Sequence, residues 1–211
     1  MGDVQATFEA IVAGSAVEAK QHTQAALDAG LDPSVILTEG IIAAMREVGA
    51  RFEAGDYYVP DMLVAARAMQ AGLTILKPLL PKGEARVAGR VVLGTVAGDL
   101  HDIGKNLVGL MLVGAGFVIR DLGTNVAPEG FVLAVREEGP DVLALSALLT
   151  TTMPAMKATI DALREAGLRD NVKVIVGGAP VTEAYAQYVG ADGFAPDASR
   201  AVGLVTAMVQ A

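Results

Sequence analysis

Up to about residue 80 the apolar positions recur every three or four residues. Ile41, Met45, Val48 and Phe52 make one stripe, and Met62, Ala65, Met69, Leu73, Leu76 and Leu80 make a longer one. This spacing predicts two long amphipathic helices, each hiding one face. Val4 to Val12 and Ala16 to Ala29 read as a shorter pair ahead of them, and Asp32-Pro33 supplies a cap and a first helical residue between the pairs. Four helices on short connections predict a small antiparallel four-helix bundle. From Pro78 to Arg90 the pattern breaks, with two prolines, Gly83, Gly89 and charges of both signs. Such a stretch reads as a linker between a helical domain, residues 1–85, and a second domain, residues 90–211.

After residue 90 short β-branched or apolar runs alternate with helical segments: Arg90 to Val96, Phe117 to Asp121, Val142 to Ser146, Val172 to Val176 and a weak run near Gly193-Phe194. Strand, helix, strand in repetition predicts a parallel sheet. Crossover helices cover both faces of such a sheet, so its strands should be continuously apolar, as "VVLGTV", "DVLALS" and "VKVIVGG" are. The expected fold is α/β, a doubly wound, flavodoxin-like (Rossmann-type) parallel sheet of five strands after a helical bundle.

Composition narrows the function classes. With 53% hydrophobic residues in 211 there is ample material for a core. Acidic residues outnumber basic ones, 24 to 16, for a net charge of −8, which disfavours nucleic acid and anionic membrane surfaces as partners. The chain has no cysteine, which removes disulfides, thiolate nucleophiles, iron–sulfur clusters and thiolate zinc sites. No apolar run approaches the ~20 residues of a membrane span, and no basic-then-apolar leader is visible, so a cytoplasmic location is expected.

In an open α/β sheet ligands bind beyond the carboxyl ends of the strands. Three of those ends are chemically unusual here: Gly98-Asp99-Leu100-His101-Asp102-Ile103-Gly104, Ser146 to Thr152, and Gly177-Gly178-Ala179. All three are expected along one edge. His101 is one of only two histidines, and His22 lies in a polar stretch of helix as a solvated residue. An imidazole on a metal usually donates its second N–H to a carboxylate, and Asp99 is near enough in sequence to receive it. With no cysteine and no second histidine nearby, His101 suits a single axial ligand to a metal that brings its other ligands along. Ser146, Thr150 and Thr152 alternate in what reads as an extended segment, presenting hydroxyls to one side. Gly177-Gly178 lets backbone approach a ligand closely. Each feature also has an ordinary structural reading: a helix-capping histidine, hydroxyls capping the helix that starts near Pro154, and a glycine turn.

Taken together these residues resemble the corrinoid-binding proteins with the Asp-x-His-x-x-Gly … Ser-x-Leu … Gly-Gly signature, through Asp99-Leu100-His101-Asp102-Ile103-Gly104, Ser146-Ala147-Leu148 and Gly177-Gly178. "MREVGARFEAGDYYVPDMLVAARAM" is similar to the helical cap that precedes this domain in cobalamin-dependent methionine synthase and corrinoid methyl-carrier proteins. The resemblance implies a corrinoid cofactor, cobalamin or a lower-base variant, whose nucleotide tail enters a channel in the sheet while His101 binds cobalt. It implies that Asp99 is the partner of His101 and that Thr152, a serine in methionine synthase, extends the relay outward. Ser146 and Thr150 would contact the tail, Gly104, Gly177 and Gly178 would leave room for it, and Ala198 would sit beside it. Phe52, Val59 (a leucine in methionine synthase) and Met62 would cover the upper face of the corrin, although their stripes also suit an ordinary bundle core.

The implied function is that of a methyl carrier between a substrate-specific methyltransferase and a second methyltransferase, with a reductive activation protein as a further partner and a pterin or thiol as acceptor. Substrate choice would belong to the partner subunits. Two alternatives share the motif: the cobalamin-binding subunit of an adenosylcobalamin-dependent isomerase, which does not require this cap, and a corrinoid sensor, which would normally carry a DNA-reading domain.

Overall fold

The computed structural model describes residues 2–80 and 88–210. The chain divides into two compact units, Met1–Val87 with Gly114–Gly116, and Ala88–Val113 with Phe117–Ala211. Most of the linker read into residues 78–90, namely 81–87, lies outside the described residues.

The first unit holds α1 (Gly2–Val12), α2 (Ala16–Asp28), α3 (Pro33–Val35) running through a π-helical segment (Ile36–Ile42) into α4 (Ala43–Ala54), and α5 (Val59–Leu76). Connections at residues 13–15, 29–32 and 55–58 are short enough to turn each helix back on its predecessor. Asp32 starts the third helical stretch as expected: its carboxylate accepts the Ser34 N–H at 2.7 Å and Pro33 takes the first helical position. Ile11, Ile36, Ile41, Met45, Val48, Met62, Met69 and Leu76 are buried. Helix α5 stops at Leu76, so Leu80, which the apolar stripe includes, lies beyond the helix. Lys77 keeps helical backbone and bonds the Leu73 carbonyl, but Pro78 has no N–H to continue the ladder, and the helix ends there.

Tyr57, on the α4–α5 turn, ties that turn to the end of α1. Its hydroxyl donates to the Val12 carbonyl at 2.9 Å and accepts from Arg51 at 3.2 Å. Tyr57→Phe retains the ring and removes both bonds. It is expected to lower stability by about 1 kcal/mol in urea denaturation of the full chain; parent-like stability would show that the turn does not depend on this bond.

The second unit is a five-stranded, wholly parallel sheet of β1 (Gly89–Thr95), β2 (Phe117–Asp121), β3 (Val142–Ser146), β4 (Lys173–Gly177) and β5 (Gly193–Ala195), in the order β2-β1-β3-β4-β5. The connecting helices are α6 (Ile103–Gly114), α7 (Pro128–Glu138), α8 (Pro154–Glu165) and α9 (Glu183–Val189), and α10 (Ala198–Gln210) follows β5. The central strands are buried on both faces, which is why they read as unbroken apolar runs. Val92, Phe131, Leu143, Leu145, Met156, Ile160 and Val174 belong to one large core cluster. The strand order reverses between β1 and β3, the point where such sheets open a crevice at their carboxyl ends. No helix among the described residues is long and apolar enough to cross a membrane.

Candidate functional site

Register brings the three unusual strand ends together. Thr95 pairs with Ser146 and Ser146 with Gly177, so the loops after β1, β3 and β4 leave the sheet from one rung. After Thr95 the chain turns, with Gly98 at φ +81° and the Asp99 N–H bonded to the Val96 carbonyl at 3.1 Å. This turn drives the Asp99 side chain inward to complete burial.

The buried carboxylate receives four donors. Its Oδ1 accepts the His101 N–H at 3.0 Å and faces the His101 ring Nδ1 at 2.7 Å. Its Oδ2 accepts the Leu148 N–H at 2.8 Å and the Thr152 hydroxyl at 2.7 Å. Burial pushes the Asp99 carboxyl upward, but the hydrogen bonds from Thr152, the His101 and Leu148 N–H groups and the His101 ring outweigh it, so Asp99 is held well below the usual carboxylate range. An ionised carboxylate only accepts, so Nδ1 must carry a ring proton, and in the neutral ring Nε2 keeps a free lone pair.

An amide at position 99 would accept through one oxygen only and would point its NH2 group at two other donors. Asp99→Asn is therefore expected to destabilise the full chain by about 1–3 kcal/mol at neutral pH. Because folding lowers this carboxyl, its stabilisation is fully present above the ordinary value of 3.8 and fades as the pH falls below it. Urea denaturation should show the gap between parent and variant narrowing with acid. A gap that stays constant with pH would contradict the ionised Asp99.

The His101 side chain is 50% exposed. Leu100 and Ile103 flank it in sequence, each 73% exposed, and Leu148 and Leu149 on the β3 loop are also exposed. Asp102 is exposed and accepts from the Asn106 amide at 3.1 Å, and Gly104 borders open space. Ser146 is half-buried at the end of β3, and Ala198 is buried at the start of α10. In the first unit Phe52 is half-buried, Val59 is 37% exposed and Met62 is 1% exposed.

One expectation about the loops does not hold. The segment after Ser146 is not extended throughout: Leu149 to Met153 form a turn in which the Leu149 carbonyl accepts the N–H groups of Thr152 and Met153. Thr150 is consequently exposed while Thr152 is buried, so they do not share a side, and the hydrogen bonds from His101 through Asp99 to Thr152 end inside the protein rather than running outward. The glycine pair is packed closely against backbone. A Cβ on Gly178 would lie 1.9 Å from the Ala147 carbonyl oxygen, and one on Gly177 would lie 3.1 Å from that of Ala195. Their missing side chains admit neighbouring backbone.

Other residues of this edge escaped the sequence reading. The buried Thr95 donates to the His101 carbonyl at 2.9 Å; its signal was a hydroxyl within an apolar strand. The ammonium of Lys105, 4% exposed, bonds Asn106 at 2.7 Å and Asp121 at 2.5 Å, a burial that lysine tolerates only when paired. The Tyr185 hydroxyl donates to the Met153 carbonyl at 2.6 Å and steadies the turn that carries Thr152. Among the described residues no three histidine or carboxylate side chains gather to hold a metal ion. The edge offers one imidazole nitrogen, backed by a buried anion and set among exposed leucines and isoleucine.

Comparison with known proteins agrees with this arrangement. Dimethylamine corrinoid protein 1 of Methanosarcina acetivorans is 49% identical over 173 residues, 82% of this chain and 81% of its own length. A corrinoid protein of Desulfitobacterium hafniense is 42% identical over 199 residues, covering 93% of this chain and 92% of that one. In the solved methanol:cobalamin methyltransferase complex of Methanosarcina barkeri, a chain 30% identical superposes with a TM-score of 0.90 over 99% of this chain and 80% of that chain. Two family models match, each described as a B12 binding domain, over residues 4–77 and 89–203. The chain belongs to the B12-binding family of corrinoid proteins.

Proposed function

We propose that the chain carries a methyl group on a bound corrinoid between a substrate-specific methyltransferase that loads it and a second methyltransferase that passes the group to a pterin or a thiol. The observation that carries this reading is the Asp99–His101 pair, which fixes the ring with Nδ1 turned inward at 2.7 Å from the carboxylate and Nε2 available. One nitrogen suffices for a metal already ringed by a macrocycle, and the exposed Leu100, Ile103, Leu148 and Leu149 suit the apolar underside of such a ring. The residues present therefore fit a corrinoid. When bound, it supplies a cobalt ion that accepts and gives up a methyl group.

His101 would hold the lower face of the cofactor through Nε2. Asp99 keeps the ring in one tautomer, and the Leu148 N–H and Thr152 hydroxyl keep Asp99 ionised. We assign Ser146, Thr150, Gly104 and Ala198 to the path of the nucleotide tail, and Phe52 and Val59 to covering the upper face. A reductive activation protein would serve as a third partner.

The relatives named for dimethylamine and the neighbour solved with a methanol enzyme support methylamines or methanol as donors. The test is to load the anaerobically purified protein with cobalamin and mix it with methyltransferases for methylamines, methanol and methoxylated aromatics, each with its donor. We expect one pairing to change the visible absorbance of the bound corrinoid at catalytic rates and a second methyltransferase to reverse the change. Carbon-skeleton rearrangement with adenosylcobalamin, and no response to any methyl donor, would overturn the reading.

A further inference from the structure

We propose that Asn125 is a positioning residue for His101, holding the turn from which Asp99 reaches the imidazole. The proposal rests on the reading of His101 as the cobalt ligand.

Asn125 has φ +54°, the one non-glycine positive φ among the described residues. Left-handed backbone is unfavourable for any residue with a Cβ, and a local outlier persists only where its surroundings impose it. Here the reason is visible. The Asn125 N–H donates to the Asp99 carbonyl at 2.9 Å, and its side-chain Oδ1 accepts the Gly98 N–H at 2.8 Å. Both bonds fall on the turn between β1 and His101.

The loop that carries Asn125 is itself anchored. The Leu122 N–H bonds the Leu93 carbonyl, the Thr95 N–H bonds the Gly123 carbonyl, and the Val126 N–H bonds the Thr95 carbonyl, while Val126 bridges Val96 in parallel. Asp121, just before it, accepts from Lys105 on α6 and from the Gly123 N–H. Residues 121–126 thus form a splint along the end of β1, and the left-handed turn at Asn125 aims its N–H and its amide oxygen at Gly98 and Asp99. Thr95 holds the same loop from its far end through the His101 carbonyl. Each Asp99 oxygen serves two donors, so a displaced Asp99 backbone would disturb the bond to the ring.

Three variants of the full chain separate positioning from folding: Asn125→Ala, Asn125→Gly, which accepts the left-handed backbone and lacks the amide, and Asn125→Asp, which keeps an oxygen acceptor. In cofactor-free protein with 15N-histidine, NMR at about pH 9, above the ordinary histidine range, reads the tautomer of each ring. We expect His101 to be fixed as the Nδ1–H form in the parent and its tautomer ratio to relax about fivefold in Asn125→Gly, the worth of one ordinary hydrogen bond. His22 should not change, the thermal midpoint should stay close to the parent's, and Asn125→Asp should restore the ratio. In cobalamin-loaded protein the share of cobalt(II) showing protein-nitrogen splitting should fall with it. A parent-like tautomer ratio in both Asn125→Gly and Asn125→Ala would overturn the proposal, as would failure of both to fold, which would assign Asn125 to stability. If the tautomer responds but the parent shows no protein nitrogen on cobalt, the positioning stands and the cobalt reading falls.

Discussion

Gly178→Ala is expected to be among the most damaging single substitutions in the sheet unit, at about 3 kcal/mol or more. The added Cβ would lie 1.9 Å from the Ala147 carbonyl oxygen and 2.8 Å from its carbon, and φ is +130°, where alanine is strained even in open space. Both obstacles are backbone, so no side-chain rotation relieves them. The β3 loop would have to move, and it carries the Leu148 N–H that supports Asp99. Gly178→Ala should therefore lower the urea midpoint of the full chain and also weaken corrinoid binding. Gly104→Ala is the matching contrast. Its Cβ would meet nothing within 4 Å, so the cofactor-free chain should be as stable or slightly more stable, and only corrinoid affinity should fall if Gly104 lines the tail path. Parent-like stability in Gly178→Ala would mean that the two loops are not packed as described.

How far the sequence announces this molecule follows from which forces are local. The strands of the sheet are visible because burial on both faces forces continuous apolar runs, and the bundle helices because each hides one stripe. The π-helical segment from Ile36 to Ile42 has no local signature. Gly40 within it is buried near the Val4 carbonyl and Thr7 of α1, a contact that only tertiary packing creates. At the site, Asp99 and His101 are legible because two residues of separation bring carboxylate to imidazole within one turn. Thr152 stands out in the sequence as one of the hydroxyls after β3, its place beside Asp99 comes only from the family resemblance, and its burial has no local sign: Leu149-Thr150-Thr151-Thr152 has no glycine, asparagine or proline to mark the turn that buries it. Asn125 and Lys105 act through partners 27 and 16 residues away, Gly98 and Asp121, across the end of the sheet. No spacing rule links such pairs before the strand order is known. Gly177-Gly178 shows the opposite case, since the pair is visible in the sequence while the close approach of Ala147 and Ala195 backbone to it exists only in the fold.

His101→Ala is expected to lower corrinoid affinity at least about tenfold and to leave cobalt without a protein nitrogen, while the fold survives because this half-exposed ring is not part of the core. Losing the ring also strips one donor from Asp99 but leaves the Leu148 and Thr152 bonds to hold it. The decisive measurement is electron paramagnetic resonance of the cobalt(II) form of the full chain, grown with 15N-histidine and loaded with cobalamin of natural isotope content. Coordination by His101 predicts a two-line splitting from 15N in the parent, absent in His101→Ala. A three-line splitting in the labelled parent would place the cofactor's own base on cobalt, and a two-line splitting that survives in His101→Ala would place another histidine there. Either result would contradict His101 as the ligand.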